Sequence, residues 1–220
     1  MIQYIFLIAF FAFLGCHIIA EYLENKKGRF ATKPLLMVLL ILYYAFSISL
    51  IEYDWLLILA LIFGWLGDIS LMIGREGKWF MLGLGSFLIG HIFYILSFLF
   101  SISDITQFPF WGFIFFIPSI LIALVFYSKI KDKMGELQKP TLIYILVITI
   151  MSIIATLRFA ELQGISFYLV WIGSLLFMIS DGIIALNKFH KKISHSGVYI
   201  MLTYGLGQFF IVQGIIFAFL

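Results

Sequence analysis

The sequence predicts an all-α integral membrane protein with eight transmembrane helices that form a single transmembrane domain over residues 1–220. Two observations support this prediction. Of the 220 residues, 64% are hydrophobic and only 11% are charged, a composition far outside that of soluble domains. The apolar residues also fall into eight stretches, each long enough to span a hydrocarbon core of about 30 Å as a helix. The connecting loops are short, so we expect no soluble domain.

The eight stretches follow one another at positions 2–20, 33–50, 55–73, 79–100, 110–128, 140–158, 165–187 and 196–219. The first stretch has no basic segment before it and no small-x-small cleavage motif ahead of Glu21, so we interpret it as a retained helix and not as a signal peptide. The second and sixth stretches each open with a Lys-Pro pair, Lys33-Pro34 and Lys139-Pro140. Proline is favoured at the first position of a helix, and these pairs therefore predict where the two helices begin.

The basic residues predict the orientation in the membrane. All but one of the 14 Lys and Arg residues fall in the loops after the first, third, fifth and seventh stretches, namely Lys26, Lys27, Arg29, Lys33, Arg75, Lys78, Lys129, Lys131, Lys133, Lys139, Lys188, Lys191 and Lys192. Only Arg158 falls on the other side. The positive-inside rule then places these loops in the cytoplasm and both termini outside a bacterial-type inner or plasma membrane. Because the chain lacks a soluble basic surface, we expect no nucleic-acid partner.

The two halves of the chain, about 1–108 and 109–220, resemble each other. The Lys-Pro pair of the second stretch matches that of the sixth, and Gly67-Asp68 matches Ser180-Asp181 in the seventh. Gly90-His91 in the fourth stretch matches Gly207-Gln208 in the eighth. Because corresponding helices run in the same direction, the pattern predicts two parallel four-helix repeats related by an axis along the membrane normal.

Two aspartates lie inside apolar stretches, Asp68 in the third and Asp181 in the seventh. A carboxylate in hydrocarbon costs at least a few kcal/mol, so such residues usually have a partner, a water-filled cavity or a function. Each is followed seven residues later by the first basic residue of the next loop, which puts both carboxyl groups about 10 Å inside the same membrane face. We therefore predict a pair that shares a proton, one member acting as general acid and the other as base or charge stabiliser. The alternative is a structural role, in which the two aspartates cap backbone groups or form hydrogen bonds with Ser, Tyr and Trp side chains.

Six further polar residues are candidates for substrate binding. Lys33 lies beside a predicted helix N-terminus, which suits a phosphate group, or it is a snorkelling lysine that anchors the helix. His91 and Tyr94 lie on one helix face, where histidine suits proton transfer or ligand binding, although a membrane histidine often bonds a neighbouring helix. The other candidates are Asn187, near the predicted mouth or at a helix end, and Tyr204 and Gln208, one turn apart.

The sequence does not indicate a metal, nucleotide or serine-hydrolase site. It contains no HExxH or CxxC motif, and its four histidines and single cysteine, Cys16, are scattered, which argues against zinc. Two Gly-x-Gly pairs, at 83–85 and 205–207, lie inside apolar stretches and favour close helix packing over nucleotide binding. No GxSxG motif is present. We expect neither a metal nor an organic cofactor.

Five segments resemble one known family. They are TKPL (32–35), GDISLM (67–72), GxFLIGHIFY (85–94), SDGIIA (180–185) and YGLGQ (204–208), and together they resemble the YhhN/TMEM86 family, whose characterised members are lysoplasmalogenases. The resemblance implies a membrane hydrolase that cleaves the vinyl ether bond of lysoplasmalogen, a lysophospholipid, to a fatty aldehyde and glycerophospho-ethanolamine or -choline. It marks as the site the catalytic pair Asp68 and Asp181, surrounded by Lys33, His91, Tyr94 and Gln208.

This chemistry agrees with the prediction from the residues. Vinyl ether hydrolysis needs a proton on the β-carbon and then attack of water on an oxocarbenium ion, and glycosidases divide similar work between two carboxyl groups. A phosphate near Lys33 leaves the sn-1 ether deeper, toward the aspartates, in an active site near the cytoplasmic face. Two alternatives stay open: a small proton-coupled transporter and a lipid-binding protein without catalysis. The cytoplasmic bias of the polar residues favours the one-sided pocket of an enzyme.

Overall fold

A computed structural model of the protein describes residues 1–49, 52–74 and 76–219. Eight long helices lie within these residues: α1 (Ile2–Tyr22), α2 (Lys26–Ala45), α3 (Trp55–Ile73), α4 (Gly77–Phe100), α5 (Phe116–Ile130), α6 (Gln138–Leu157), α7 (Ile165–Phe189) and α8 (Ser196–Ile216). All are long and apolar enough to cross a membrane, α5 and α6 together with the 3₁₀ turns beside them. The same residues contain no strand. The predicted all-α fold with eight membrane-spanning helices is confirmed.

The chain forms two compact units, Met1–Ser97 and Phe98–Ala218. The first unit contains α1, α2, α3 and most of α4, and the second contains α5 to α8. Three features stay predictions. They are the single domain with repeat halves at about 1–108 and 109–220, the repeat axis, and the orientation in the membrane. Residue 50, the predicted end of the second stretch, and Arg75 lie outside the described residues.

The start of α2 differs most from the prediction. The helix begins at Lys26, where the side-chain oxygen of Asn25 accepts a hydrogen bond of 3.1 Å from the amide of Gly28 and caps the first turn. The prediction that Lys33-Pro34 opens this helix is therefore wrong, because Pro34 lies in its interior. An apolar stretch marks only the part of a helix in hydrocarbon, and the charged first turn of α2 precedes that part. In α5, residues Phe110–Phe115 form a 3₁₀ turn before the α-helix starts at Phe116.

Hydrogen bonds between side chains and backbone join the helices of the first unit. The indole Nε1 of Trp65 in α3 donates to the carbonyl oxygen of Pro34 in α2 at 2.8 Å. The bond joins α3 to α2 at the level of Pro34, a residue that itself has no amide donor. At the other end of α3, Asp54 caps the helix by accepting from the amides of Leu56 and Leu57 at 3.0 and 3.1 Å.

Small residues allow the helices to approach closely. In the first unit, a Cβ on Gly67 of α3 would lie 2.7 Å from the ring of Phe87 in α4. In the second unit, a Cβ on Gly207 of α8 would lie 2.9 Å from the carbonyl oxygen of Gly173 in α7. The close packing predicted for the Gly-x-Gly pairs is thus confirmed at Gly207 and at Gly83, where a Cβ would lie 2.8 Å from the side chain of Leu71, whereas Gly85 has open space around it.

A chain of buried hydroxyl groups joins three helices of the second unit. The hydroxyl oxygen of Ser152 in α6 lies 2.8 Å from that of Ser119 in α5 and 2.9 Å from that of Ser174 in α7. All three side chains are fully buried. Since each hydroxyl can both donate and accept, these serines serve the packing of α5, α6 and α7.

Candidate functional site

Asp68 forms a buried salt bridge with Lys33. The Nζ atom of Lys33 lies 3.0 Å from Oδ1 of Asp68, and the two side chains are 14% and 4% exposed. Asp68 lies five residues before the end of α3, which places the pair about 7 Å inside the helix end. The structure therefore brings together two of the residues predicted from the sequence.

This salt bridge changes the setting predicted for Lys33. Because α2 begins at Lys26, Lys33 lies two turns inside the helix and not beside the free amides of a helix N-terminus, so that part of the phosphate-site prediction is wrong. A carboxylate holds its ammonium inside the span. Binding of substrate by Lys33 stays a prediction.

A second group of polar side chains lies between α1 and α2; we call His17, Glu21, Arg29 and Thr32 the α1–α2 cluster. The Nδ1 atom of His17 lies 2.7 Å from the hydroxyl oxygen of Thr32, and that hydroxyl donates to the carbonyl of Gly28. The single hydroxyl proton is thus used, so Nδ1 of His17 is the donor toward Thr32. The imidazole is held in one orientation, with Nε2 directed at Glu21.

Glu21 joins the two helices of this cluster. Its Oε1 lies 3.6 Å from Nε2 of His17, one turn earlier in α1, and its Oε2 lies 3.3 Å from Nε of Arg29 in α2. His17 is fully buried, Glu21 is 8% exposed and Arg29 is 25% exposed. The cluster therefore reaches from the interior of the unit to its surface, with Arg29 at the outer end.

The α1–α2 cluster is adjacent to the Lys33–Asp68 pair, since Thr32 directly precedes Lys33 in α2 and Arg29 lies one turn before it. The sequence reasoning missed it. A usable signal was present: His17 and Glu21 are spaced by one helical turn in an otherwise apolar stretch, and Arg29 and Lys33 share the same spacing in the next helix. Residues four apart lie on one helix face, so each pair presents two polar groups to one neighbour.

His91 and Tyr94 are buried in α4, each 1% exposed. The contacts of two glycines show which part of α3 lies beside these residues. Gly67 of α3 packs on Phe87 of α4, and Gly90 of α4 packs on Ala60 and Gly64 of α3. The helices α3 and α4 are therefore antiparallel, and His91 lies beside residues 60–64. This level is about 9 Å farther from the end of α3 than Asp68.

In the second unit, Asp181 is bound by a residue that the sequence reasoning missed. The hydroxyl of Tyr144 in α6 donates to Oδ2 of Asp181 in α7. Tyr144 is buried. Asp181 and Tyr144 thus form a hydrogen-bonded pair inside the second unit. A tyrosine in an apolar stretch resembles ordinary packing, so the sequence carried no signal for this contact. In the structure Tyr144 lies about two turns into α6, as Lys33 does in α2.

Tyr204 and Gln208 lie at successive levels of α8 beside α7. The rings of Phe177 and Tyr204 meet edge to face with centroids 5.3 Å apart, and Gly207 packs on Gly173. Tyr204 therefore lies about one turn, and Gln208 about two turns, farther into the helix pair than Asp181. Both are buried, at 3% and 0% exposed.

Asn187 has a contact in the loop between α7 and α8. Its side-chain oxygen accepts a hydrogen bond of 2.8 Å from the amide of Ile193. This contact fits the helix-end role that was one of the two options for Asn187. Its binding of substrate stays a prediction, as does the pairing of Asp68 with Asp181, each of which has its own partner inside its own unit.

Comparison with known proteins gives one match. The family model described as the YhhN family matches residues 28–215, which is most of the chain. No curated protein matches the chain, and no solved structure does. The matched range includes both aspartates, Lys33, Tyr144 and Arg29, whereas His17 and Glu21 precede it.

Proposed function

Because this chain belongs to the YhhN family, we propose that it is a membrane hydrolase that cleaves the vinyl ether bond of a lysoplasmalogen. The observation that supports this most is that each of the two membrane-embedded aspartates is bound by a side chain from the preceding helix. Carboxyl groups are costly in hydrocarbon. Holding each in a fixed orientation suits acid/base chemistry on a lipid.

The different partners support different roles for the two aspartates in this proposal. Asp68 is paired with the ammonium of Lys33, so it is the charged member and acts as base. Asp181 is bound by a neutral phenol, so it is the member that carries a transferable proton.

The proposed reaction proceeds in three steps. Asp181 transfers its proton to the β-carbon of the vinyl ether, which leaves an oxocarbenium ion that the negative charge of Asp68 stabilises. Water then attacks the carbon bound to the ether oxygen and gives its proton to the carboxylate of Asp68. In the breakdown of the resulting hemiacetal, Asp68 passes that proton to the sn-1 oxygen of the glycerol, which leaves as an alcohol, while the hemiacetal hydroxyl gives its proton to Asp181 and becomes the carbonyl group of a fatty aldehyde. One water is consumed, and both carboxyl groups return to their starting protonation states.

The test is aldehyde release from lysoplasmalogen by purified Asp68→Asn and Asp181→Asn variants. Loss of general acid or base catalysis costs about 10²–10⁴-fold in kcat, and residues that act as a unit are not additive. We therefore expect the double variant to be no slower than the slower single variant. Near-normal turnover in either single variant would contradict the proposal.

Each unit offers a matched control. Asp54→Asn makes the same change in the first unit at the opposite end of α3, where asparagine caps a helix as well as aspartate does. Asp104→Asn makes the same Asp-to-Asn change in the second unit, beside the exposed turn at Ile105–Gln107. Hydrogen bonds from the Thr106 and Gln107 side chains lower the pKa of Asp104. Both controls are expected to retain activity. If the protein were a transporter, the wild type itself would release no aldehyde.

A further inference from the structure

We propose that Arg29 binds the phosphate group of the lysophospholipid headgroup, which gives the α1–α2 cluster the role of a headgroup subsite. This inference rests on the proposed function, because it names the part of the site that holds the polar end of the same substrate. It moves the phosphate from Lys33 to the residue one helical turn nearer the start of α2.

The first argument is the occupation of Lys33. Its ammonium contacts Asp68 at 3.0 Å inside the unit. A phosphate bound at Lys33 would compete with that carboxylate and place a second negative charge beside it, which is unfavourable in a medium of low dielectric constant. The headgroup therefore needs another cation close to the Lys33–Asp68 pair.

Arg29 meets this need by position. It precedes Lys33 by four residues and so lies on the same face of α2, about 6 Å nearer the helix start. In a lysophospholipid, five bonds separate the phosphorus from the sn-1 ether oxygen, a span of about 6 Å when extended. A phosphate at Arg29 thus puts the ether at the level of Lys33 and Asp68.

Arg29 also has suitable donors. Its side chain is 25% exposed, while Glu21, which contacts its Nε atom at 3.3 Å, is 8% exposed. A guanidinium has five N–H donors in a planar fork, so the contact at Nε leaves the two terminal nitrogens for phosphate oxygens, which arginine binds in a bidentate manner. Glu21 is a positioning residue, and His17 in turn lies against Glu21 at 3.6 Å.

The charges of the α1–α2 cluster and of the Lys33–Asp68 pair favour one type of headgroup. Glu21 and Arg29 carry opposite charges, as do Asp68 and Lys33. A zwitterionic headgroup, which brings its own ammonium with the phosphate, leaves this balance unchanged. The subsite is therefore suited to ethanolamine- or choline-type lysophospholipids.

The experiment measures binding and needs no hydrolysis. Two ligands of equal chain length, a 1-O-alkyl-glycerophosphoethanolamine and the 1-O-alkylglycerol that lacks its phosphate, are titrated into the detergent-solubilised full chain. Neither has a vinyl group. Because partition into detergent is the same for every variant, the ratio of the two dissociation constants isolates the contribution of the phosphate headgroup. The variants are Arg29→Gln and, as a matched control, Lys27→Gln, which removes an exposed cation from the same turn of α2.

We expect Arg29→Gln to reduce the preference for the phosphate ligand by about tenfold to a hundredfold, the range for a bond to a charged group, with alkylglycerol binding unchanged. Lys27→Gln should keep the preference. An unchanged preference in Arg29→Gln, or an equal loss of both ligands, would overturn the inference. Displacement of the phosphate lipid by millimolar inorganic phosphate would overturn its assignment to a lipid, since the site would then recognise free phosphate.

The outcome is independent of the catalytic proposal. If the wild type released no aldehyde but Arg29→Gln still lost the preference for the phosphate ligand, the proposed reaction would fail and the headgroup subsite would stand. If aldehyde release required both aspartates but Arg29→Gln kept the preference, only the headgroup subsite would fail.

Discussion

Lys33 and Asp68 form a salt bridge of 3.0 Å between two consecutive helices in the membrane-spanning part of the chain. Asp181 in α7 has the same relation to Tyr144 in α6. In each unit the partner lies about two turns into the helix that precedes the helix of the aspartate. One partner is a cation and the other a neutral phenol. Two aspartates with similar sequence surroundings thus have different electrostatic surroundings, and this difference underlies the roles proposed for them.

We predict that Lys33→Met destabilises the protein by about 3–5 kcal/mol, because it leaves the carboxylate of Asp68 buried without its cation. The double variant Lys33→Met/Asp68→Leu removes both charges and should regain most of that loss. Denaturant unfolding in detergent measures both, and the double-mutant cycle gives the coupling energy. The double variant should stay inactive, which separates the catalytic role of Asp68 from its effect on folding. A single variant as stable as the wild type would contradict this prediction.

Tyr144→Phe removes the hydroxyl that donates to Asp181 and changes little else in the packing. We expect kcat to fall about tenfold to a hundredfold, as for loss of a hydrogen bond to a charged or reacting group, while KM changes little because binding of the lipid chain does not involve this bond. Steady-state aldehyde release gives both constants. Tyr168→Phe, which removes the hydroxyl of an exposed tyrosine in α7 of the same unit, is the control and should leave both constants unchanged.

The number of helices follows from composition, since a span of the hydrocarbon core requires a fixed length of apolar chain. The start of α2 does not, because its first turn carries Lys26, Lys27 and Arg29 and only the cap at Asn25 marks the helix end. A search for apolar runs stops where the charged residues begin, whereas the helix continues past them.

The partners of the aspartates could be predicted only in part. Asp68 and Lys33 both stand out in the sequence as charges next to or inside apolar stretches, but helical periodicity within one stretch does not tell which faces of two helices meet. Tyr144 is different, since an aromatic residue in a membrane helix is typical of packing and its hydroxyl becomes informative only beside a carboxyl group. The two aspartates and Lys33 thus came from the sequence, whereas Tyr144 and the contacts among these residues came from the structure.

Gly207→Ala should destabilise the second unit by about 1–3 kcal/mol, the cost of forcing extra atoms into a packed interior. A Cβ at this position would lie 2.9 Å from the carbonyl oxygen of Gly173 and 3.2 Å from the amide nitrogen of Phe177. Both are backbone atoms that move only if α7 and α8 separate. Gly85→Ala is the control, because a Cβ there meets open space and alanine favours the helix by up to about 1 kcal/mol. Thermal unfolding in detergent should show a lower midpoint for the first variant only.

Asp54→Ala should lower stability by about 1–2 kcal/mol without loss of activity in the folded protein. The substitution removes the cap on the amides of Leu56 and Leu57 and the bond that the Ser97 hydroxyl donates to the same carboxylate. Asp54 lies fourteen residues from Asp68 in α3, about 21 Å along the helix axis, so the change is remote from the Lys33–Asp68 pair. Unfolding curves should separate Asp54→Ala from Asp54→Asn, which keeps the cap, whereas the kcat of the folded fraction should be the same in both variants. A loss of kcat in Asp54→Ala equal to that in Asp68→Asn would show that the activity tests report folding instead of chemistry.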